Sequence, residues 1–412
     1  MTAKGRTWFQ APWQYRESAL TAITATAFGF AVQYTLKGTG IDMPQWPLNG
    51  VSLALLALAT LTIALAFRRR PFVQWLGGIP LGLSLIIALA LISFIGGMVP
   101  QGIEGSPLAL RLGLHAVFSS WPFALIVGLF LLNIGLSLVW RTVPFNIGNL
   151  QFILFHGGFW LALACGVFGR SDLERLIVPV YEGRSSSHGM ISGEGRELRR
   201  LPFSIHLHDF SIEEYPPEIL LYDPAADRFI MDESQTMTEI RRGVALTWKG
   251  TRVEILDYLP SAMPGADGTP VAAPTAAGIP YAMVRITGTG AQPDTWISTG
   301  GPGMRPYAAE VGSRYLIMMP GSPKTYRSAV TIRGLDGSSR EALLEVNKPV
   351  NFAGWKIYQM GYDEASGRFS TLSLLEAIRD PWLPAVYLGL FMILGGNALF
   401  FWNGIKRSGV ER

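Results

Sequence analysis

Long apolar runs occupy the first 170 residues and recur once near the end of the chain, and between them lies a stretch in which apolar and polar positions alternate. A bilayer core of about 30 Å takes about 20 helical residues to cross. Six stretches reach or approach that length: Ser18–Leu36, Gly50–Phe67, Leu76–Gly97, Trp121–Trp140, Gln151–Gly169 and Trp382–Trp402. The last is uncharged and bracketed by Trp382 and Trp402, residues suited to the two headgroup levels. The first is diluted by Gln33 and several threonines, and Gly77-Gly78-Ile79-Pro80 marks a kink or late start for the third. In the intervening stretch Phe203, Ile205 and Leu207 alternate with Ser204, His206 and His208, the period of a half-buried strand. Further strand-like runs cover Val244–Tyr258, Tyr281–Thr287, Arg314–Met319, Tyr326–Ile332 and Trp355–Met360, separated by Gly, Pro and Asp clusters. Pro260–Pro280, rich in Ala, Pro and Gly, reads as a long flexible loop.

The expected fold is therefore a membrane α-helical bundle of about six spans with a large outward, mainly antiparallel β domain, a sandwich or open barrel. The divisions run as follows: residues 1–75 form an N-terminal cytoplasmic segment with two additional spans, and 76–169 the core spans three to five. Residues 170–379 form an extracytoplasmic β-rich domain, and 380–412 the final span and a cytoplasmic tail.

Charge supplies the orientation. With six crossings, one side receives Lys4, Arg6, Arg16, Arg68-Arg69-Arg70, Arg141, Lys406, Arg407 and Arg412, and the short loops opposite hold only Lys37 and Arg111. The positive-inside rule then places both termini in the cytoplasm and the β domain outside, in a multi-pass protein of the cell inner membrane in contact with its lipid. The net charge of +4 is accounted for by these flanks. No basic patch interleaved with aromatics marks the polar part, so no nucleic-acid partner is expected. The N-terminus, Met1–Glu17, lacks the apolar core and small-residue cleavage site of a signal peptide.

The single cysteine, Cys165, lies in the fifth apolar run. One cysteine excludes covalent c-type haem on this chain, which needs Cys-x-x-Cys-His, as well as an internal thiol–disulfide relay and cysteine-rich metal sites. The stability of the β domain must come from its core.

Five histidines carry the remaining metal chemistry. His156 lies within a span, in Phe155-His156-Gly157-Gly158, where a titratable ring is costly and faces the bundle interior with a partner or a function. It is either hydrogen-bonded to Asn133 or a backbone carbonyl, or a haem ligand. It shares a helix face with Trp160 and Leu163, whereas Gly158, Ala162 and Gly166 form a small-residue stripe for close packing. His115 sits before the fourth span, as an interfacial residue or an outer ligand. His206 and His208 share a strand face without an evident third ligand, and His188 in Ser185-Ser186-Ser187-His188 reads as loop. Thr299-Gly300-Gly301-Pro302-Gly303 lacks the lysine and strand-to-helix setting of a phosphate loop and reads as a turn. No nucleophile–base triad or carboxylate pair stands out, so no catalytic residue is assigned.

Five pieces of the chain carry a family likeness. They are Ile95-Gly96-Gly97-Met98-Val99-Pro100-Gln101; Leu112 to Trp121 around His115; Phe155-His156-Gly157; Pro202-Phe203-Ser204 through Asp209-Phe210 to Tyr215-Pro216; and Val346-Asn347-Lys348-Pro349 with Gly354, Tyr358-Gln359, Asp380-Pro381 and Tyr387-Leu388-Gly389. In order and spacing they resemble the ResB-like family, the membrane subunit of System II cytochrome c biogenesis. The fourth piece resembles the first strand of that family's outward domain. The resemblance implies a subunit of a cytochrome c maturation complex that binds or relays haem, held non-covalently, and positions apocytochrome c with a ResC/CcsA-like membrane partner. It implies His156 as the iron ligand, with His115 as a second cofactor-binding candidate. Asn347, Pro349, Gly354, Tyr358 and Gln359 become motif or partner-contact candidates, each with a structural reading beside it: Pro349 and Gly354 for turns, Tyr358 with Trp355 for the core. The chain would be a non-catalytic subunit of a holocytochrome c synthase, the covalent chemistry being that of apocytochrome thiols and haem vinyl groups. Lys348 departs from the histidine of many relatives, the two spans before Leu76 are additional, and the Trp-rich haem-handling motif of the partner is absent. The alternative function is a non-haem structural anchor that organises a respiratory or cytochrome complex.

Overall fold

The computed structural model describes residues 12–102, 105–191, 197–230, 240–248, 250–274 and 278–410. It divides into two compact units, residues 1–174 with 379–412, and residues 175–378.

The first unit is helical. Its elements are α1 (Tyr15–Thr35), α2 (Leu48–Ala66), α3 (Pro71–Leu76), α4 (Ile79–Met98), α5 (Pro107–Arg111), α6 (Trp121–Thr142), α7 (Leu150–Phe168) and α8 (Leu383–Val410). Among the described residues five helices are long and apolar enough to cross a membrane: α2, α4, α7, α8 and α6, the last closing the apolar run Pro107–Thr142. The expected sixth, α1, has the length, 21 residues, but its buried stripe is small or polar: Glu17, Ser18, Ala22, Gly29 and Gln33. It earns its place by contact. A Cβ on Gly29 would lie 2.4 Å from the Cα of Pro122 at the start of α6, and the Trp75 indole donates to Ser18 Oγ at 2.9 Å. The Gly77-Gly78 break is real and separates α3 from α4. The Leu76 carbonyl at the break accepts from Asn133 Nδ2 at 2.6 Å, and the Gly78 carbonyl, already bonded to the Gly82 amide, accepts from the same nitrogen at 3.1 Å, the internal satisfaction that backbone in an apolar setting requires. α7 and α8 pack closely, because Gly158 faces Gly389 and Gly396 faces Phe155, so that added Cβ atoms would lie 2.5 to 2.7 Å from backbone atoms of the partner helix.

The second unit is β and has two lobes. β1 (Glu174–Tyr181), β2 (Ser185–Ile191) and β3 (Leu198–Glu214) open the first lobe. The chain then leaves for an inserted lobe of β4 (Glu218–Asp223), β5 (Arg228–Ile230), β6 (Ala245–Trp248), β7 (Thr251–Pro264), β8 (Pro270–Ala272), β9 (Ile279–Gly288), β10 (Gln292–Ser298), β11 (Ala309–Val311) and β12 (Arg314–Met319). It returns with β13 (Pro323–Gly334), β14 (Ser339–Glu345), β15 (Val350–Phe352), β16 (Trp355–Tyr362) and β17 (Leu372–Arg379). The first lobe is one eight-stranded sheet in the order β14-β13-β3-β2-β1-β17-β16-β15. Its two edges approach each other, since Arg340 of β14 donates to the Asn351 carbonyl of β15 at 2.8 Å, and the sheet is a nearly closed barrel. Alternation fills it with Val178, Phe203, Ile205, Ile332, Trp355 and Ile357. In the inserted lobe the sheet β10-β9-β7-β6, with β8 on β7, faces the sheet β11-β12-β4-β5 across Ile219, Ile255, Val284, Ile297 and Leu316.

Three expectations change in this unit. Pro260–Pro280 is no structureless loop: β7 continues to Pro264 and turns back so that Met263 pairs with Val271, although residues 275–277 lie outside the described residues. His188 belongs to β2 and pairs with Arg200. The stretch opening at Pro202 is the third strand of the unit, because Glu174–Tyr181 and Ser185–Ile191 supply two strands before it.

Candidate functional site

In the helical unit His156 lies six residues into α7, about 9 Å along the axis from its first residue. Its Nδ1 stands 3.2 Å from the Phe152 carbonyl. A carbonyl accepts only, so this contact requires the proton on Nδ1, and in the neutral ring Nε2 then has the lone pair. The Phe152 ring is stacked on the imidazole at a centroid distance of 3.8 Å, and the Arg141 guanidinium stands over Phe152 at 5.2 Å. Of the two hydrogen-bonding readings, the backbone carbonyl holds; Asn133 is engaged at the α3–α4 break. Trp160, on the same face, donates to the Leu131 carbonyl of α6 at 3.0 Å.

His115 lies in the 3-10 turn Leu114–Ser119 before α6, with its Nδ1 buried and without a hydrogen-bond partner. The start of α6 neighbours the end of α7, where Phe123, Ala124, Gly166 and Val167 line one pocket. His115 thus belongs to the end of the bundle where α7 finishes, whereas His156 is nearer the start of α7.

A charged group that sequence reasoning passed over stands just beyond α7. Asp172 accepts from the Trp46 amide at 2.9 Å, from Asn49 Nδ2 at 2.6 Å and from the Trp382 indole at 2.6 Å. It ties together the entries to α2 and α8 and the exit of α7. Burial pushes its carboxyl up, and the hydrogen bonds from Asn49, Trp46 and Trp382 outweigh it, so the group titrates below its ordinary range. The partners lie 123 to 210 positions from Asp172 in sequence, which hid the clamp.

In the β unit the closing motif forms two hairpins at the barrel edge. Glu345 and Lys348 bridge across Val346-Asn347, with Asn347 at φ 64°, a left-handed conformation that asparagine adopts more readily than most residues. Pro349 enters edge strand β15, where a missing N–H costs no ladder bond. Ala353 and Gly354, at φ 47° and 79°, make the next turn, and Phe352 pairs with Trp355 across it. Gly354 is required by conformation and not by space, since nothing lies within 4 Å of an added Cβ. Along β16 Trp355, Ile357 and Gln359 point inward, whereas Tyr358 lies on the half-exposed face opposite Glu376. The expectation that Tyr358 joins Trp355 in the core fails on this alternation. Gln359 takes the inward place: its Oε1 accepts from Ser328 at 2.6 Å, and its Nε2 donates to the Gly361 carbonyl and Ser373 Oγ, both at 3.0 Å.

His206 and His208 do share a face, with ring centroids 4.6 Å apart. Each nitrogen seen in contact meets a hydroxyl, Ser185 for His206 and Thr331 for His208. Among the described residues no group of three potential metal-binding side chains occurs.

Between the barrel and the inserted lobe lies a cleft of about 1100 Å³. Its walls include Glu214, Tyr258, Ile279, Gly300, Gly301, Arg368 and Phe369, so the glycine-rich turn lines this cleft.

Residues 307–380 match the model of the ResB-like family. The match bears out the resemblance over the last strands of the inserted lobe and all of β13 to β17, Asn347, Pro349, Gly354, Tyr358 and Gln359 included. His115 and His156 fall outside it. At family level the ResB-like segment supports a subunit related to cytochrome c biogenesis, and the five apolar helices a membrane protein. No curated protein matches the chain.

Proposed function

We propose that this chain is the ResB-like subunit of a cytochrome c maturation complex of the inner membrane, holding haem non-covalently through His156 and positioning apocytochrome c by its outward β unit. The observation that carries the reading is the ResB-like match over 307–380. A ResC/CcsA-like membrane protein is the partner it requires.

His156 has the chemistry of an iron ligand. Metal-bound imidazoles donate their second N–H to a carbonyl or carboxylate, which fixes tautomer and ring orientation; Nδ1 on Phe152 O meets that condition and leaves Nε2 for a metal. Phe152, stacked on the ring, restricts its rotation. Neither the 1100 Å³ cleft nor the 530 Å³ pocket beside α6 and α7 is lined by His156, and we assign the rest of the haem pocket to the partner protein. Haem bound there supplies the vinyl carbons to which apocytochrome thiols add; this chain contributes ligation, orientation and docking.

The same pocket geometry and the structural work of Asn347, Pro349, Gly354 and Gln359 favour a second reading, a non-haem anchor that organises a respiratory or cytochrome complex. Spectroscopy separates the two. Purified with its partner, the wild-type protein is expected to show a Soret band that falls in His156→Ala, along with cellular c-type cytochrome, while the protein stays inserted. Added imidazole restores part of both. Unchanged haem content and full maturation in His156→Gln, which keeps hydrogen-bonding capacity, would remove His156 as a ligand and leave the anchor.

A further inference from the structure

The cleft between the barrel and the inserted lobe is built, not incidental. The lobe leaves the barrel through Tyr215–Pro217 and returns through Pro320–Ser322, and the two crossings run side by side at its base. The Tyr215 amide donates to the Ser322 carbonyl at 2.9 Å. Gly321 is so close to Tyr215 that a Cβ would lie 1.8 Å from its carbonyl oxygen. Three prolines, Pro216, Pro217 and Pro320, stiffen the crossings further. The base of the cleft is therefore stiff, which lowers the ordering cost of binding.

Its walls carry a specific incompleteness. Glu214 ends β3, and its side chain is 19% exposed. Its ion pair with Arg368 is long, 3.8 Å, beyond hydrogen-bond distance, and of the other arginines lining the cleft Arg327 is paired with Glu213. Arg368 also lies over the Phe369 ring, at 6.0 Å, and its charge acts on Tyr258 of the inserted lobe. Burial pushes the Glu214 carboxyl up and the Arg368 charge only partly opposes it. A carboxylate in this position is stabilised by any ligand that brings a donor. Around it Tyr258, Ile279 and Phe369 offer apolar surface, and the Gly300–Gly301 turn exposes main chain.

We infer that this cleft binds an extended polypeptide segment, with Glu214 receiving a basic side chain and the Tyr258–Phe369 walls receiving an apolar one. A volume of about 1100 Å³ lies at the upper end of ligand clefts, and walls mixing charge with aromatic surface suit a peptide. The inference rests on the proposed function for its ligand, apocytochrome c before it folds.

The test uses the full chain in detergent and a fluorescein-labelled peptide spanning the haem-attachment segment of an apocytochrome c, its cysteines replaced by serine and with one lysine. Binding is read by anisotropy. Glu214→Gln and the rim substitution Pro302→Trp are expected to weaken binding by roughly tenfold, whereas Leu335→Trp, on a distant exposed turn, leaves it unchanged. A peptide with the lysine replaced by glutamine should bind the wild type more weakly and lose little more in Glu214→Gln, as a coupled pair requires. No binding to the wild type, or equal binding by all variants, overturns the inference. The proposed function is judged separately: if cells lacking the chain make normal c-type cytochromes it falls, and if they make none while the peptide ignores the cleft, only the inference falls.

Discussion

At the scale of the residue, Gln359 shows how a family motif can be structural. It sits 4% exposed inside the barrel, bonded to the Gly361 carbonyl and to Ser328 and Ser373, and the two buried serines have no water to turn to. Removing one member of a satisfied buried network leaves the others unpaired, at about 1–3 kcal/mol for each group. Gln359→Ala is accordingly expected to shift the denaturation midpoint of the β unit, followed in the full chain by tryptophan fluorescence, far more than Tyr358→Ala, whose side chain is outside the barrel. Equal effects of the two substitutions would mean that the inward–outward alternation of β16 does not govern stability.

At the scale of the element, α7 has two faces with different demands. Trp160 serves α6, and Gly158 serves α8. Of the small-residue stripe expected from sequence, Gly158 and Ala162 meet Gly389, while nothing lies within 4 Å of a Cβ on Gly166. A Cβ on Gly158 would stand 2.5 Å from the Gly389 carbonyl and 2.9 Å from the Ile393 amide, and backbone cannot move aside as a side chain can. Gly158→Val should therefore destabilise the α7–α8 pair by about 1–3 kcal/mol, the usual cost of overpacking, and increase proteolysis in detergent. Gly166→Val should leave both unchanged. If Gly166→Val proved the more damaging, the helix contact assigned here would be wrong.

At the scale of the whole molecule, orientation rests on the distribution of basic residues. Arg68-Arg69-Arg70 and Arg141 flank the same ends of α2, α3 and α6, and Arg68 donates to the carbonyls of Trp140 and Val143 at 3.2 and 3.1 Å, so these two clusters lie on one side of the bundle. A topology reporter inserted at the Gly265–Thr269 turn is expected to read outside, and one fused after Arg412 to read cytoplasm. A cytoplasmic signal from the Gly265–Thr269 turn would reverse the orientation and with it the docking role of the β unit.

Local pattern alone determined what depends on near neighbours in the chain. Apolar runs of spanning length gave α2, α4, α6, α7 and α8; the Gly77-Gly78 break separated α3 from α4; and period-two alternation located β3, β7, β9, β12, β13 and β16. Even the polar dilution of the first run was legible, since α1 buries Glu17 and Gln33. Whatever depends on residues far apart was decided by tertiary structure. The insertion of one lobe between β3 and β13, the closure of the barrel through Arg340 and Asn351, the Asp172 clamp on Trp46, Asn49 and Trp382, and the cleft that gathers Glu214, Tyr258, Gly300 and Arg368 all join segments separated by tens to hundreds of positions. Hydrophobic periodicity states which face of an element is buried but not which element covers it. That choice is made when sheets and helices pack, and the candidate sites of this protein are products of that packing.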